Sequence, residues 1–251
     1  MRYRDRFIVL LLFALLSIQL FSCAYGSGRW QATIFHSQIP ALTPTPESTS
    51  VSTPECTPSQ TPYHEVLPIT FGMNSGNSYQ NEYFNIAVDL DELWFAEDSR
   101  QINEENQGTE NYSVEEREQS YLDQLNAGNT ICEFYAHTHT GLKAISIDVY
   151  DYSAQEDQYP DIFMHYINRT FRLKDVFESN GLQVTEGYCG KATIAGETQF
   201  CWYYTYEYNG IVWDCALAMM QRDNYVMTIL TSSMVTKHAE EMLSLFHKVS
   251  E

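Results

Sequence analysis

Positive charge is scarce in this sequence. The 251 residues include 14 Lys and Arg against 33 Asp and Glu, which gives a formal net charge of −19, and no Lys or Arg occurs between Arg29 and Arg100. Proteins that bind phosphate groups need clustered cationic side chains. We therefore expect neither nucleic acid nor anionic lipid headgroups among the partners, whereas a negative surface suits a soluble domain outside the cytoplasm.

Motifs of common catalytic sites are also missing. The chain has no nucleophile elbow, phosphate-binding loop or dinucleotide fingerprint. His137 and His139 have the spacing of a metal-binding pair on a strand, but no third ligand lies near them in sequence. An acidic run that lacks the spacing and central glycine of a calcium-binding loop follows at Asp148, Asp151, Glu156, Asp157 and Asp161. We therefore predict no metal, no cofactor and no catalytic residue.

The first 22 residues have the pattern of a lipoprotein signal peptide. Arg2, Arg4 and Arg6 precede an apolar run over residues 7–16, and the segment ends in Leu-Phe-Ser before Cys23. This pattern predicts cleavage before Cys23 and acylation of its thiol. The protein is then expected at the cell membrane, held on the extracytoplasmic face by its lipid.

Two other interpretations of the leader were weighed. A membrane-spanning helix needs roughly 20 apolar residues, and the run over residues 7–21 is shorter and contains Ser17 and Gln19. A permanent span is therefore not favoured. Cleavage after Ala24-Tyr25-Gly26 also fits the small-residue rule of signal peptidase. That alternative would release a secreted protein and stays open.

Residues 23–66 are predicted to be a disordered linker. Seven of the eight prolines lie between residues 39 and 69, interleaved with Thr and Ser, and the segment has no apolar period. Such a composition cannot offset the entropy of ordering the chain and favours extended conformations. Residues 67–251 are long enough for one folded domain.

The four cysteines of this domain have three possible disulfide connectivities. They are Cys132, Cys189, Cys201 and Cys215. The sequence does not decide between these connectivities and unpaired thiols, and our default expectation is buried free thiols.

Asn209-Gly210 is the strongest hairpin signal in the chain. A two-residue loop there pairs Tyr208 with Ile211 and Tyr204 with Cys215, so that Cys201 faces the opposite side of the sheet from Cys215. One face of the hairpin then collects Trp202, Tyr204, Tyr206, Tyr208, Ile211, Trp213, Leu217 and Met219. We expect this face to be core.

The aromatic side chains of this hairpin also have a functional interpretation. A row of exposed rings binds sugars or extended peptides on some sheets. Tyr203 and Tyr208 are the candidate ligand surface, and Tyr208, close to the turn, is expected to be the more exposed of the aromatic row. Aromatic cross-strand pairs are, however, also ordinary stabilisers of sheets.

Periodicity and turn residues predict the remaining elements. Predicted strands cover residues 83–90, 94–95, 131–136, 142–150, 182–194, 198–208, 211–217 and 225–231, with a turn at Ala195-Gly196. Predicted helices run from the capping box of Ser113 and Glu116 to Gly128, from Pro160 to Asn180-Gly181, and from Thr236 through Leu245, Phe246 and Val249. The fold class is therefore predicted to be α+β, with a mostly antiparallel sheet flanked by helices.

Several of these segments resemble one known family. They are Asn81 to Val88, Leu93 to Ala96, Phe134 to Ala136 with Thr140-Gly141, Ile145 to Val149, and the turn at Ala195-Gly196 before an aromatic strand. Together they resemble the PsbP/Mog1-like α/β/α sandwich family, and more narrowly its lipoproteins of unknown function in Gram-positive gut bacteria. The resemblance spans most of residues 79–250. Family members usually carry Pro-Gly ahead of the Trp, where this chain has Asp91-Glu92-Leu93.

The resemblance implies a non-catalytic binding or assembly role. Together with the leader, it predicts a membrane-anchored lipoprotein that is not an enzyme and that binds an unidentified protein, peptide or carbohydrate. The alternatives are an aromatic-lined carbohydrate- or peptide-binding protein and a secreted or surface hydrolase. A pocket with two carboxyl groups, or a Ser hydroxyl at hydrogen-bonding distance from a His, would favour the hydrolase.

Overall fold

The computed structural model describes residues 68–106, 113–155, 161–208, 210–235 and 237–249. The predicted signal peptide, Cys23 and the linker of residues 23–66 lie outside these ranges, as do Pro160, Asn209 and Thr236. None of the helices in the described ranges has the length and apolar character that crossing a membrane requires.

Two antiparallel sheets form the framework of the domain. The small sheet has the strand order β1-β2-β3-β11, with β1 Met73–Ser75, β2 Ser78–Asn81, β3 Ile86–Asp89 and β11 Phe246–His247. The large sheet has seven strands in the order β4-β5-β6-β10-β9-β8-β7. Its strands are β4 Trp94–Ala96, β5 Thr130–Thr138, β6 Lys143–Asp151, β7 Gln183–Ile194, β8 Glu197–Tyr208, β9 Ile211–Arg222 and β10 Tyr225–Ser233. The predicted α+β class with a mostly antiparallel sheet is confirmed.

Four helices lie in the described ranges: α1 Ser99–Glu105, α2 Val114–Asn126, α3 Ile162–Ser179 and α4 His238–Leu243. The predicted capping box of α2 is confirmed, because the Glu116 amide donates to the Ser113 hydroxyl at 3.2 Å and the Glu116 carboxylate accepts from the Ser113 amide at 2.9 Å. The α3 helix starts after Asp161, whose carboxylate accepts from the Phe163 amide at 2.9 Å.

The large sheet is buried on both faces. Side chains alternate along a strand, so Ile147 and Val149 point to one layer and Tyr150 to the other. The first layer, which we call the inner face, packs against the small sheet, α2 and α4. The second layer, the outer face, packs against α3.

The β8–β9 hairpin has the predicted register. Tyr208 pairs with Ile211, Tyr204 with Cys215 and Cys201 with Ala218. Its aromatic face is core, as predicted, with Trp202, Tyr204 and Trp213 packed in the outer layer. The opposite face is core as well, which the sequence analysis did not predict, because its small residues Cys201, Ala216 and Ala218 leave room for the inner layer.

The thiol prediction is right in three positions and wrong in one. Within the described residues none of the four forms a disulfide bond, and Cys132, Cys201 and Cys215 are buried. Cys189 is exposed because it lies on β7, the last strand of the sheet.

Three predicted boundaries are wrong. The strand predicted over residues 211–217 continues to Arg222. The strand predicted from residue 83 starts at Ile86, because Tyr83 and Phe84 form the turn before it. The last helix ends at Leu243 and does not continue through Phe246. Phe246 instead pairs with Val88 as part of β11, where it is buried.

Candidate binding edge of the large sheet

Strand β7 forms one edge of the large sheet. It is twelve residues long and most of its residues are exposed. Among the described strands only β8 pairs with it, and the pairing is regular from Glu186 to Ile194 after a bulge between Val184 and Glu186. One side of a long strand therefore presents its backbone groups without a neighbouring strand.

The turn at Ala195-Gly196 determines which backbone groups these are. Both residues have positive φ, 50° and 77°, as a two-residue hairpin requires. The residues that flank such a turn, Ile194 and Glu197, form a hydrogen-bonded pair, and bonded and non-bonded pairs then alternate along the ladder. The groups directed away from β8 are consequently the N–H and C=O of Gly187, Cys189, Lys191 and Thr193.

One side-chain contact agrees with this assignment. The Tyr203 hydroxyl donates to the Lys191 carbonyl oxygen at 3.2 Å, and a carbonyl oxygen has a second lone pair for another donor. No other partner of these outward groups is found within the described part of the chain.

On the inner face of the edge, Tyr188 forms an exposed aromatic platform. Its side chain is 62% exposed, and its ring stacks on the ring of Tyr203 with a centroid distance of 5.1 Å and an angle of 24°. Gly190 makes room for the pair, since a Cβ there would lie 3.4 Å from the Tyr203 ring and 3.6 Å from the Tyr188 ring. The platform therefore presents one free ring face to solvent.

Negative charge surrounds this platform. Desolvation and then the nearby carboxylates of Glu240 and Asp214 raise the pKa of Tyr188. Asp214 is held in place by accepting a hydrogen bond from the Ala239 amide at the start of α4, at 3.2 Å. Glu186 lies on the same face of β7 as Tyr188 and is exposed.

On the outer face of the edge, helix α3 carries exposed apolar side chains. Phe163 is 52% and Phe171 64% exposed, and Ile167 lies between them with a spacing of four residues, so all three share one side of the helix. This side lies over β7 and β8, because Phe163 packs edge-on against Phe200 of β8 and because the Thr170 side chain lies close to that of Cys189. We call these three residues the α3 stripe.

The predicted ligand residues Tyr203 and Tyr208 do not form one surface. Tyr203 lies on the inner face, buried beneath Tyr188. Tyr208 is half-buried on the outer face, against the layer that packs on α3. The exposed ring is that of Tyr188, which the sequence analysis did not select. Its signal in the sequence is an aromatic residue between Gly187 and Gly190 in a strand, since strand glycines mark close approach of other groups.

The opposite edge of the sheet, β4, is short and closed. It has three residues, and the side-chain amide of Asn77, from the turn between β1 and β2, occupies the position of a neighbouring strand. Its nitrogen donates to the Trp94 carbonyl at 2.9 Å, and its oxygen accepts from the Ala96 amide at 3.2 Å.

A buried carboxyl group lies close to this closed edge. Glu133, on β5, accepts hydrogen bonds through one oxygen from the Tyr79 hydroxyl and from the Asn81 amide, the latter at 2.9 Å. Its other oxygen lines a small pocket together with Asn74 and Arg117, and it has no hydrogen-bond partner among the described residues. Burial raises the pKa of Glu133, although both hydrogen bonds oppose the rise.

The histidine pair and the described part of the acidic run do not converge on one site, and Glu156 and Asp157 lie outside the described residues. His137 lies 3.0 Å from the Thr138 carbonyl oxygen, and His139 lies 3.1 Å from that of Glu92. Within the described ranges no three His, Cys, Asp or Glu side chains are grouped closely enough to hold a metal ion. Burial also raises the pKa of Asp148, to about 6, but Asp148 and Glu133 lie on opposite faces of the sheet and share no pocket.

Comparisons with known proteins give limited information. No family model and no curated protein matches the chain. Among solved structures, it is similar to the solution structure of cyanobacterial PsbP (CyanoP) from Synechocystis sp. PCC 6803, with 11% identity over 71% of this chain and 95% of that chain and a TM-score of 0.41. A second similar structure is that of PA94, a protein of unknown function and putative regulator from Pseudomonas aeruginosa, with 15% identity over 36% of this chain and 58% of that chain and a TM-score of 0.24. These values carry no argument about function, and membership of the PsbP/Mog1-like family stays a prediction.

Proposed function

We propose that this chain is a membrane-anchored extracytoplasmic lipoprotein whose domain is a non-catalytic binding module. The domain holds an extended segment of a partner protein as an added strand at β7. The observation that supports this proposal most directly is the open edge of β7, with four residues that direct both backbone groups outward and with exposed rings on both faces.

Strand addition is a common way to bind peptides. Main-chain hydrogen bonds supply affinity, and pockets for alternate side chains supply specificity. Here the added strand would find Tyr188 on the inner face and the α3 stripe on the outer face. The leader and the Pro-rich linker support the location, because a lipid on Cys23 and an extended linker would hold this edge outside the membrane.

The PsbP/Mog1-like α/β/α sandwich is the finer fold assignment that we propose. It is supported by the sequence segments that resemble the family and by the position of α3 on one face of the large sheet, with α2 and α4 on the other.

The anchor is tested on the full chain expressed with its leader in a bacterial host. Mass spectrometry of the N-terminal peptide from the membrane fraction should show diacylglycerol on Cys23. In a Cys23→Ser variant the protein should leave the membrane fraction. An unmodified N-terminus at Ser27 in the wild type would show secretion instead and would overturn the anchor.

The binding edge is tested with two substitutions at one position. The Cys189 N–H points away from β8, so Cys189→Pro removes an outward donor without breaking the β7–β8 ladder. Cys189→Ser keeps the N–H and serves as the matched control. When both full-length variants are panned against a random peptide library, strand-forming sequences should be enriched by Cys189→Ser and not by Cys189→Pro. Equal enrichment by the two variants would overturn strand addition at β7.

The exposed ring of Tyr188 also supports a second candidate function, carbohydrate binding. An aromatic face bordered by carboxylates such as Glu240 is a common arrangement for stacking and orienting a sugar. A sugar would need the ring but not the backbone donor of Cys189. On a glycan array, binding that is lost in Tyr188→Ala and retained in Cys189→Pro would therefore favour this function over peptide capture.

A further inference from the structure

We infer that the strand bound at β7 alternates apolar residues with Lys or Arg. This inference rests on the proposed function and specifies the partner of the same site. It follows from the different chemistry of the two faces of the edge, since neighbouring residues of any added strand point to opposite faces.

The outer face selects apolar side chains. Residues directly opposite each other in an antiparallel pair share a face, so partner residues opposite Gly187 and Cys189 point toward α3. Gly187 has no side chain there, and Phe163 and Phe171 of the α3 stripe expose two large rings on the same face of the sheet. Covering those rings with an apolar side chain removes apolar surface from water on both molecules.

The inner face selects a cation. The partner residue opposite Tyr188 lies beside a ring whose free face is solvent-exposed, which is a favourable environment for an ammonium or guanidinium group. Exposed Glu186 on the same face of β7, and Asp214, held by the Ala239 amide of α4, add negative charge at the same place, and Glu240 and Asp214 raise the pKa of the Tyr188 hydroxyl.

Charge also argues against the two other occupants of the edge. A second copy of the chain would bring its own Glu186 and Glu240 to the inner face, where like charges repel. An acidic peptide would approach a protein whose net charge is −19. A cationic strand is attracted both by the local carboxylates and by the overall field.

The inference is tested with three fluorescent peptides and the full-length lipoprotein in detergent micelles. The peptides are about nine residues long, which matches the regular part of β7. The first peptide alternates Val with Lys, and the second alternates Val with Glu. The third has the same composition as the first, but its lysines are consecutive. Binding is measured by fluorescence anisotropy to Cys189→Ser, Cys189→Pro and Glu240→Gln, and circular dichroism confirms that each variant is folded.

The alternating Val–Lys peptide should bind Cys189→Ser at least about tenfold more tightly than either other peptide. Cys189→Pro should weaken that binding about tenfold or more. Glu240→Gln should weaken it about threefold and reduce its dependence on salt.

The outcomes separate the inference from the proposed function. If Val–Glu binds as well as Val–Lys, and both are lost in Cys189→Pro, the edge is confirmed and the inferred cation preference is wrong. If Val–Lys binds Cys189→Pro and Cys189→Ser equally, the edge itself is wrong. If no peptide binds, the inference is overturned. Self-association of the wild type that disappears in Cys189→Pro would assign the edge to a second copy.

Discussion

Strands β4 and β7 form the two edges of the same sheet, and their backbones meet different surroundings. At β4 the Asn77 side chain supplies both a donor and an acceptor to the last strand. At β7 the outward groups of a twelve-residue strand meet only the Tyr203 hydroxyl among the described residues. Proteins usually protect long edges, because an open edge pairs with other chains. The difference therefore separates an edge built for stability from one available for binding.

Substitution by proline should give the largest difference in stability between the β4 and β7 edges. Ala96→Pro removes the N–H that Asn77 accepts from and should lower the free energy of unfolding by about 3 kcal/mol. Cys189→Pro removes an N–H that faces solvent and should cost less than about 1 kcal/mol. Urea unfolding of the two variants measures both values. Equal losses would show that the β7 edge is also closed.

Removing the closing side chain should have the next largest effect. Asn77→Ala leaves the Trp94 carbonyl and the Ala96 amide without partners and should cost about 2 kcal/mol. Thr193→Ala, at an outward position of β7, is the matched change at the open edge and should alter stability by less than about 0.5 kcal/mol. Thermal unfolding of both variants tests this difference between the two edges. An Asn77→Ala variant with the unfolding temperature of the wild type would contradict it.

The buried carboxyl near the closed edge predicts a pH dependence. Because burial raises the folded-state pKa of Glu133 above its usual 4.5, the folded state holds this proton more tightly than the unfolded state. The stability associated with the protonated form is present below pH 4.5 and is lost as the pH rises through the folded-state pKa. Glu133→Gln should therefore make the free energy of unfolding depend less on pH in this range. The expected change is about 1 kcal/mol, which is typical of one unpaired buried polar atom.

This prediction is checked by urea unfolding of wild type and Glu133→Gln between pH 4 and pH 8, with Glu186→Gln at the open edge as control. Parallel profiles for wild type and Glu133→Gln would contradict the assignment of the slope to Glu133.

Loss of the exposed ring should have the smallest effect on stability. Tyr188→Ala removes one stacked pair at the surface and should cost about 0.5–1 kcal/mol. Because the ring forms the inner-face platform, the same variant should lose binding of the alternating Val–Lys peptide. Tyr188→Phe keeps the ring and should retain both properties. A Tyr188→Ala variant that binds this peptide normally would remove Tyr188 from the binding edge.

Local signals in the sequence predicted the local parts of this fold. The dipeptides Ala195-Gly196 and Asn209-Gly210 predicted the positions of two hairpins, and the capping box at Ser113 predicted the start of α2. The pairing of Phe246 with Val88 was missed because it joins segments that are distant in sequence and has no local signal. The capping box of α1, formed by Asp98 and Gln101, did have a local signal and was overlooked.

The candidate site was harder to predict than the fold around it. Whether an aromatic residue is exposed depends on which strand is last in the sheet, and the strand order is a property of the whole domain. Tyr203 and Tyr188 are partners in adjacent strands, yet one is buried and the other covers it. The closure of β4 by Asn77 depends in the same way on the packing of the β1–β2 turn against a distant strand.

The Asn77 carboxamide has a consequence for the stoichiometry of any complex. With one end of the large sheet terminated by a side chain, this sheet can lengthen only past β7, so under the proposed function it would accept a single guest strand. Among the described residues, repeated head-to-tail addition, which turns two-edged sheets into fibres, has no second docking point on the large sheet. If the chain is the anchored lipoprotein that we propose, its complexes should accordingly stop at one partner segment per molecule, however high the partner concentration becomes.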